Sequence, residues 1–366
     1  MQDTENLEDS PLLVSCSPHG NLEAAVIQDK RVAYLYLAGP EESPFGTKAC
    51  WIRNLQEAPA TIDFDGMDEG IAPMLPKEYC KYPEGQAPLE EKELEVVWFP
   101  EGDGAALLQG DEFVAIIPPW GGYEGFTGYS RDCIGESPLC WALQDTAVMD
   151  TRIRDAKSYW ASWQSEDNPW SIYQPKIFEA YEKVLGEHSK YYAIDGGYWP
   201  PKAIVRFDHE NCVYLLSVGV SLRPQPVIEM VFEDSSPHRR IEFAACLAKD
   251  VGEETIDSFA KYLSGQTNLP WDYFTFFGFN HTVPCDAFAS QFALDHLKFL
   301  LFAKEPEGAP QFNLPTLDGD ALNLLWCIPI TIKEQQFAEE ENSEALVAKF
   351  PSGKAPYLIQ GRKPLL

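Results

Sequence analysis

The sequence predicts an α+β protein of two domains: a mainly antiparallel β domain, then a mixed α/β domain built on a mixed sheet. Three observations carry this expectation. The chain has 366 residues, enough for two cores at ordinary domain size. Its first half holds short β-branched and aromatic runs punctuated by turn residues, with little helical periodicity. Its second half alternates such runs with apolar residues at helical spacing. These patterns divide the chain into residues 1–150 as the β domain, 151–174 as a helical linker and 175–366 as the mixed domain.

Residues 1–20 read as an irregular terminus. Leu22 to Ile27 and Val32 to Leu37 flank the polar Gln28-Asp-Lys-Arg31, which predicts a hairpin. Residues 55–92, rich in Pro, Gly and acids, predict a long covering loop with short helical turns. Strand signals return at Leu94 to Phe99, Ala105 to Leu108 and Phe113 to Ile117. A helix is expected over 151–165.

In the second half Ile177, Phe178, Tyr181, Val184 and Leu185 share one helical face, with Gly186 as the stop. Strands are expected at Ala203 to Phe207, Val213 to Val220, Val227 to Phe232, Tyr273 to Phe277, His296 to Phe302 and Ala321 to Ile328. Ile256, Phe259, Ala260 and Leu263 predict a further helix ending at Gly265. Thr331-Ile-Lys-Glu334 has the spacing of a capping box, so a helix should start there, with Leu346, Val347 and Phe350 turned to the core. Asp318-Gly-Asp320 reads as a hairpin turn.

Composition narrows function. Against 28 Lys+Arg stand 57 Asp+Glu, a formal net charge of −29, and residues 1–155 alone carry −19. Such a polyanion repels nucleic acid and anionic lipid, and favours a basic protein partner. Solubility alone is the plainer account of the same charge. Nine scattered cysteines with no CxxC pair, several inside apolar runs, fit a reducing compartment. The first ten residues are acidic and polar, unlike a signal peptide, and no apolar run reaches the roughly 18 residues of a membrane span. A cytoplasmic protein is expected.

The residues offer little for catalysis. His281-Thr-Val-Pro-Cys285 with Asp286 lacks the second ligand pair of a zinc site. Gly128-Tyr-Ser-Arg-Asp132 misses the second glycine of a nucleophile elbow. Cys133 follows Arg131, but Asp132 lies between and no histidine is near in sequence. Gly121 to Gly128 matches no phosphate loop and carries Glu124 where a lysine would serve. No cofactor, metal or catalytic residue is therefore expected.

The oddest stretch is Pro118 to Asp132, where aromatics interleave with glycines. Trp120, Tyr123, Phe126, Tyr129 and Arg131 suit a protein-binding hot spot. The same residues suit the mouth of a ligand or substrate site, a reading that an Arg131-centred pocket would favour. Rings folded inward as core are the third possibility. A scaffold that merely oligomerises would instead show a large self-complementary apolar patch.

Phe277-Gly-Phe-Asn-His-Thr-Val-Pro284, and Leu317-Asp-Gly-Asp-Ala-Leu-Asn-Leu-Leu-Trp-Cys-Ile-Pro-Ile-Thr331 running into Lys333-Glu334, resemble the suppressor-of-fused domain. The resemblance spans roughly residues 175–355. Ala49 to Leu55, Glu101 to Ala105 and Tyr129 to Glu136 resemble the amino-terminal region of bacterial members, and nothing resembles the animal protein's carboxy-terminal domain. The resemblance implies a non-catalytic protein-binding protein. In animals the family sequesters a transcription factor through a cleft that needs both domains. In bacteria it resembles immunity proteins of polymorphic toxin systems, which implies an inhibitor of a basic toxin.

Overall fold

The computed structural model describes residues 10–144, 146–285, 288–289, 296–350, 357–360 and 362–366. The chain divides into two compact units, Met1–Ala161 with Trp271–Phe274, and Ser162–Pro270 with Thr275–Leu366.

The first unit contains two antiparallel-rich sheets. One has the order β1 (Leu13–Cys16), β2 (Glu23–Gln28), β3 (Val32–Ala38), β4 (Thr47–Asn54). So the expected hairpin forms, and a strand appears inside the stretch read as an irregular terminus. Asp29 closes the β2–β3 turn by accepting from the backbone N–H of Arg31 (2.6 Å) and Val32 (2.7 Å), the local bonding that makes aspartate a turn former. The second sheet runs β5 (Leu94–Trp98), β6 (Ala105–Gln109), β7 (Glu112–Ile117), β8 (Tyr129–Ser130), β9 (Trp141–Ala142).

Leu35, Leu37, Trp51, Leu107 and Ile117 belong to one buried cluster, so both sheets contribute to a common core. The other face of β5–β7 supplies Val97, Phe99, Ala106 and Ile116. These meet Met149, Ile153 and Ala156 of helix α2 (Thr146–Ser162). The segment 55–92 crosses the core with a short helix, α1 (Phe64–Asp68), and single 3-10 turns at Lys77–Tyr79 and Glu91–Glu93. It is anchored by Asn54, whose buried amide donates to Leu75 O (2.8 Å) and accepts from Leu75 N–H (3.0 Å).

The second unit is one mixed sheet. Its order is β10 (Lys190–Ala193), β11 (Ala203–Asp208), β12 (Cys212–Val218), β13 (Arg240–Ala248), β16 (Leu322–Ile330), β15 (Phe299–Ala303), β14 (Thr282–Pro284), with β17 (Leu358–Ile359) also on β13. Strand β13 runs parallel to β16 and β17, and the other pairings are antiparallel. All nine residues of β13 are buried, as expected for a strand covered on both faces.

Helix α3 (Pro169–Leu185) starts on the Asn168 cap, inside the stretch read as a linker, and stops at Gly186, φ 82°, where the sequence places its end. It buries Ile177 and Tyr181 against Phe207, Leu216 and Trp326. Helices α4 (Glu253–Gln266) and α5 (Leu269–Asp272) follow β13. The Thr331–Glu334 capping box forms and opens α6 (Ile332–Glu340), followed by α7 (Ser343–Val347). Leu346 is fully buried, and Val347 and Phe350 pack on the core.

Two expected strands are absent. Val227 takes a left-handed φ of 54° and begins a short 3-10 turn (Ile228–Met230), following Pro224 and Pro226, whose rings fix φ and lack an N–H for a ladder. Phe274 likewise has φ 48°, which breaks the Tyr273–Phe277 run into a turn. Asp318 and Gly319, at φ 53° and 93°, form the expected tight turn between Leu317 and Asp320.

Candidate functional site

After β7 the chain folds Pro118–Thr127 into successive tight turns. Gly121 N–H donates to Pro118 O (2.9 Å), Gly122 N–H to Phe126 O (2.6 Å) and Phe126 N–H to Tyr123 O (2.9 Å). Glycine is required at 128 by close approach. A β-carbon there would stand 2.6 Å from Ile116 O and 2.9 Å from Cys50 Sγ.

These turns sort the five singled-out side chains. Phe126 is 6% exposed, its ring held between Tyr129 (4.8 Å between centroids) and Trp141 (5.0 Å). Trp120 and Tyr129 are half-buried against the cluster that includes Phe99 and Ile153. Tyr123 projects into solvent, 58% exposed. The loop thus combines inward rings with one outward ring.

Arg131 lies at the other end. Its Nε and Nη2 grip the two oxygens of buried Asp132, at 3.0 and 3.2 Å, and Nη1 reaches Glu112 at 3.5 Å. Burial pulls the guanidinium pKa down, and Asp132 more than offsets it, so the group sits above its ordinary value. Asp132 also accepts from Gln86 Nε2 (3.1 Å), which fixes the pair in place.

Arg131 lines an open groove of about 720 Å³ between α2 and the β6–β7 turn. Phe113, Leu143 and Ile153 give it apolar walls, and Lys81 and Arg154 add charge. A volume of this size accommodates a small molecule or a short peptide. The acids Asp111, Glu112 and Asp150 share the same walls, so the groove is mixed in charge rather than a simple anion trap.

Cys133 is 5% exposed and its Sγ lies 3.5 Å from Cys140 O. Hydrogen bonding from the Cys140 thiol lowers its pKa, while burial pushes Cys140 well up. His281 forms a turn before β14, with burial lowering its pKa, and Asp286 lies outside the described residues. Among the described residues no group of three or more His, Cys, Asp or Glu is placed to hold a metal. Nor is any helix there long and apolar enough to cross a membrane.

Sequence reasoning missed a buried polar network in the second unit. Glu242 of β13 is fully buried, and its Oε1 accepts from Gly219 N–H (2.8 Å), Ser221 N–H (3.0 Å) and Ser221 Oγ (2.7 Å). Ser217 Oγ donates to its other oxygen. Burial raises its carboxyl pKa. Two residues earlier, Arg240 donates to Asp320 Oδ2 (2.9 Å) and to the carbonyl oxygens of Ser221 and Leu222. The available signal was two charges inside an apolar run. Both groups are consumed internally and pin the 217–222 turn to the sheet.

The second unit is thus a mixed sheet whose central strand is buried along its whole length and whose internal charges are paired within the fold. Residues 199–360 match the model of the Suppressor of fused protein (SUFU) family. The match extends from just before β11 through β17. The family comprises non-enzymatic regulatory proteins that bind other proteins. No curated protein matches the chain at a significant level.

Proposed function

We propose that this chain is a non-catalytic, cytoplasmic inhibitor that captures a basic protein, an immunity protein of bacterial type against a cationic toxin. The SUFU match of residues 199–360 carries the protein-binding part of this reading. The net charge of −29 supports a partner of opposite sign, because long-range attraction accelerates encounter. Contact is assigned to the 118–133 loop of the first unit. Tyr123 and the accessible edges of Trp120, Tyr129 and Arg131 meet the partner, and Phe126 holds their framework.

Affinity capture from the native host at low and moderate salt tests this. A basic protein retained at low salt and released by added salt is the expected result. Retention must also fall for Tyr123→Ala with the fold intact. Capture that ignores salt, or that Tyr123→Ala leaves unchanged, removes the reading.

The Arg131 groove favours a second reading, a small-ligand or substrate site beside the same loop. A metabolite panel screened by thermal shift separates it from the first. A stabilising ligand lost in Arg131→Ala supports it.

A further inference from the structure

Three cysteines of the first unit gather around the thiol of a fourth, Cys133. Cys133 acts electrostatically on Cys50 and Cys80, and Cys140 hydrogen-bonds to it. All four are unbridged, and the covering segment and the aromatic loop meet there.

Backbone geometry singles out one pair. Cys80 and Cys133 face each other in an isolated antiparallel bridge. Its hydrogen bonds are made by their neighbours, Lys81 N–H to Asp132 O (3.0 Å) and Ile134 N–H to Tyr79 O (2.7 Å). That places Cys80 and Cys133 at a non-hydrogen-bonded position, where opposed α-carbons stand about 4.5 Å apart and the side chains approach most closely. This spacing lies within the range that a disulfide spans without backbone movement.

The pair also has distinct roles. The Cys140 thiol, donating to Cys133, favours its thiolate, the reactive form. Burial holds Cys140 and Cys50 protonated. Cys80 and Cys133 lie just beneath the surface, 3% and 5% exposed, next to the exposed Tyr82 and Ile134.

We propose that Cys80 and Cys133 are an oxidative modification site, closed to a disulfide by a hydroperoxide. The Cys133 thiolate attacks the peroxide, the O–O bond breaks, and Cys133 becomes a sulfenic acid as hydroxide leaves. Cys80 then attacks that sulfur, and its thiol proton leaves with the displaced oxygen as water. Two thiols are oxidised and one peroxide is reduced. The link clamps the covering segment at Lys81 beside Arg131, two residues that share the groove wall.

Treatment of the full chain with hydrogen peroxide, blocking of residual thiols with N-ethylmaleimide and peptide mapping test this. The expected product is a Cys80–Cys133 linked peptide that disappears on reduction. In Cys80→Ser the sulfenic acid persists on Cys133 and is trapped by dimedone; in Cys133→Ser both signals are lost, with circular dichroism reporting the fold. Wild-type mapping alone decides the pairing. Free thiols at both positions after oxidation, or a link from Cys133 to Cys140 instead, overturn the assignment.

Discussion

Arg362 holds the carboxylate of Glu334 with two parallel hydrogen bonds, Nη1 to Oε1 at 2.8 Å and Nη2 to Oε2 at 2.6 Å. The Glu334 side chain is completely buried, and it also accepts from the backbone N–H of Thr331 and Leu365. Burial alone would raise its pKa, but the guanidinium and the two N–H donors outweigh it and hold the carboxyl below its ordinary value.

Two outcomes follow from this fork. Arg362→Leu strands a buried charge and should cost about 3–5 kcal/mol in urea unfolding. Because the folded pKa lies below the roughly 4.3 of an unfolded glutamate, its contribution is complete above that pH and is lost as pH falls through the folded value. Glu334→Gln should therefore be less stable at neutral pH and show a shallower acid limb. An unchanged acid limb in that variant would refute the linkage.

Ser217 is predicted to matter more than its size suggests. Its hydroxyl donates to Glu242 and accepts from Phe243 N–H at 2.7 Å. Ser217→Ala leaves a buried N–H unpaired and the carboxylate short of a donor. A loss of about 2–3 kcal/mol is expected, read as a lower denaturation midpoint with an unchanged slope.

Phe126 and Tyr123 should separate stability from recognition. Phe126→Ala empties a packed site and should cost about 3–5 kcal/mol. Tyr123→Ala, at an exposed position, should shift stability by less than about 0.5 kcal/mol while weakening partner capture. Thermal melts of both variants beside a pull-down check this. A strongly destabilised Tyr123→Ala would contradict it.

Cys212 should be an unusually reactive thiol. A hydrogen bond from Cys246 pulls its pKa down to about 6, and the residue is half-buried at the start of β12. Timed iodoacetamide labelling near neutral pH should modify Cys212 before the exposed Cys16, with the Cys212 rate rising through pH 6. Equal rates for the two would rule this out.

Local chemistry was readable in the chain and tertiary demand was not. The β2–β3 hairpin, the Gly186 stop and the Thr331–Glu334 box are set by neighbouring residues, so spacing alone reveals them. Strand β13 reads Arg-Ile-Glu-Phe-Ala-Ala-Cys-Leu-Ala, without alternation and with two charges. It is a strand because both faces are covered and because Glu242 and Arg240 find partners distant in sequence. The aromatic loop was legible as unusual. Which ring turns inward depends on Trp141 and the Gly128 approach to Ile116, contacts that composition does not encode.

The parallel seam at the centre of the second unit also bears on how that unit assembles. Pairings from β10 to β12 join strands adjacent in sequence, whereas Arg240 meets Leu322 across roughly 80 residues, a closure whose entropy must be met before any contact rewards it. The middle of the sheet should therefore be the last part to become protected during refolding. Pulsed hydrogen exchange would see the amides that bond β11 to β12 shielded ahead of those that bond β13 to β16, so that the seam joining the two halves of the sheet is the latest to close.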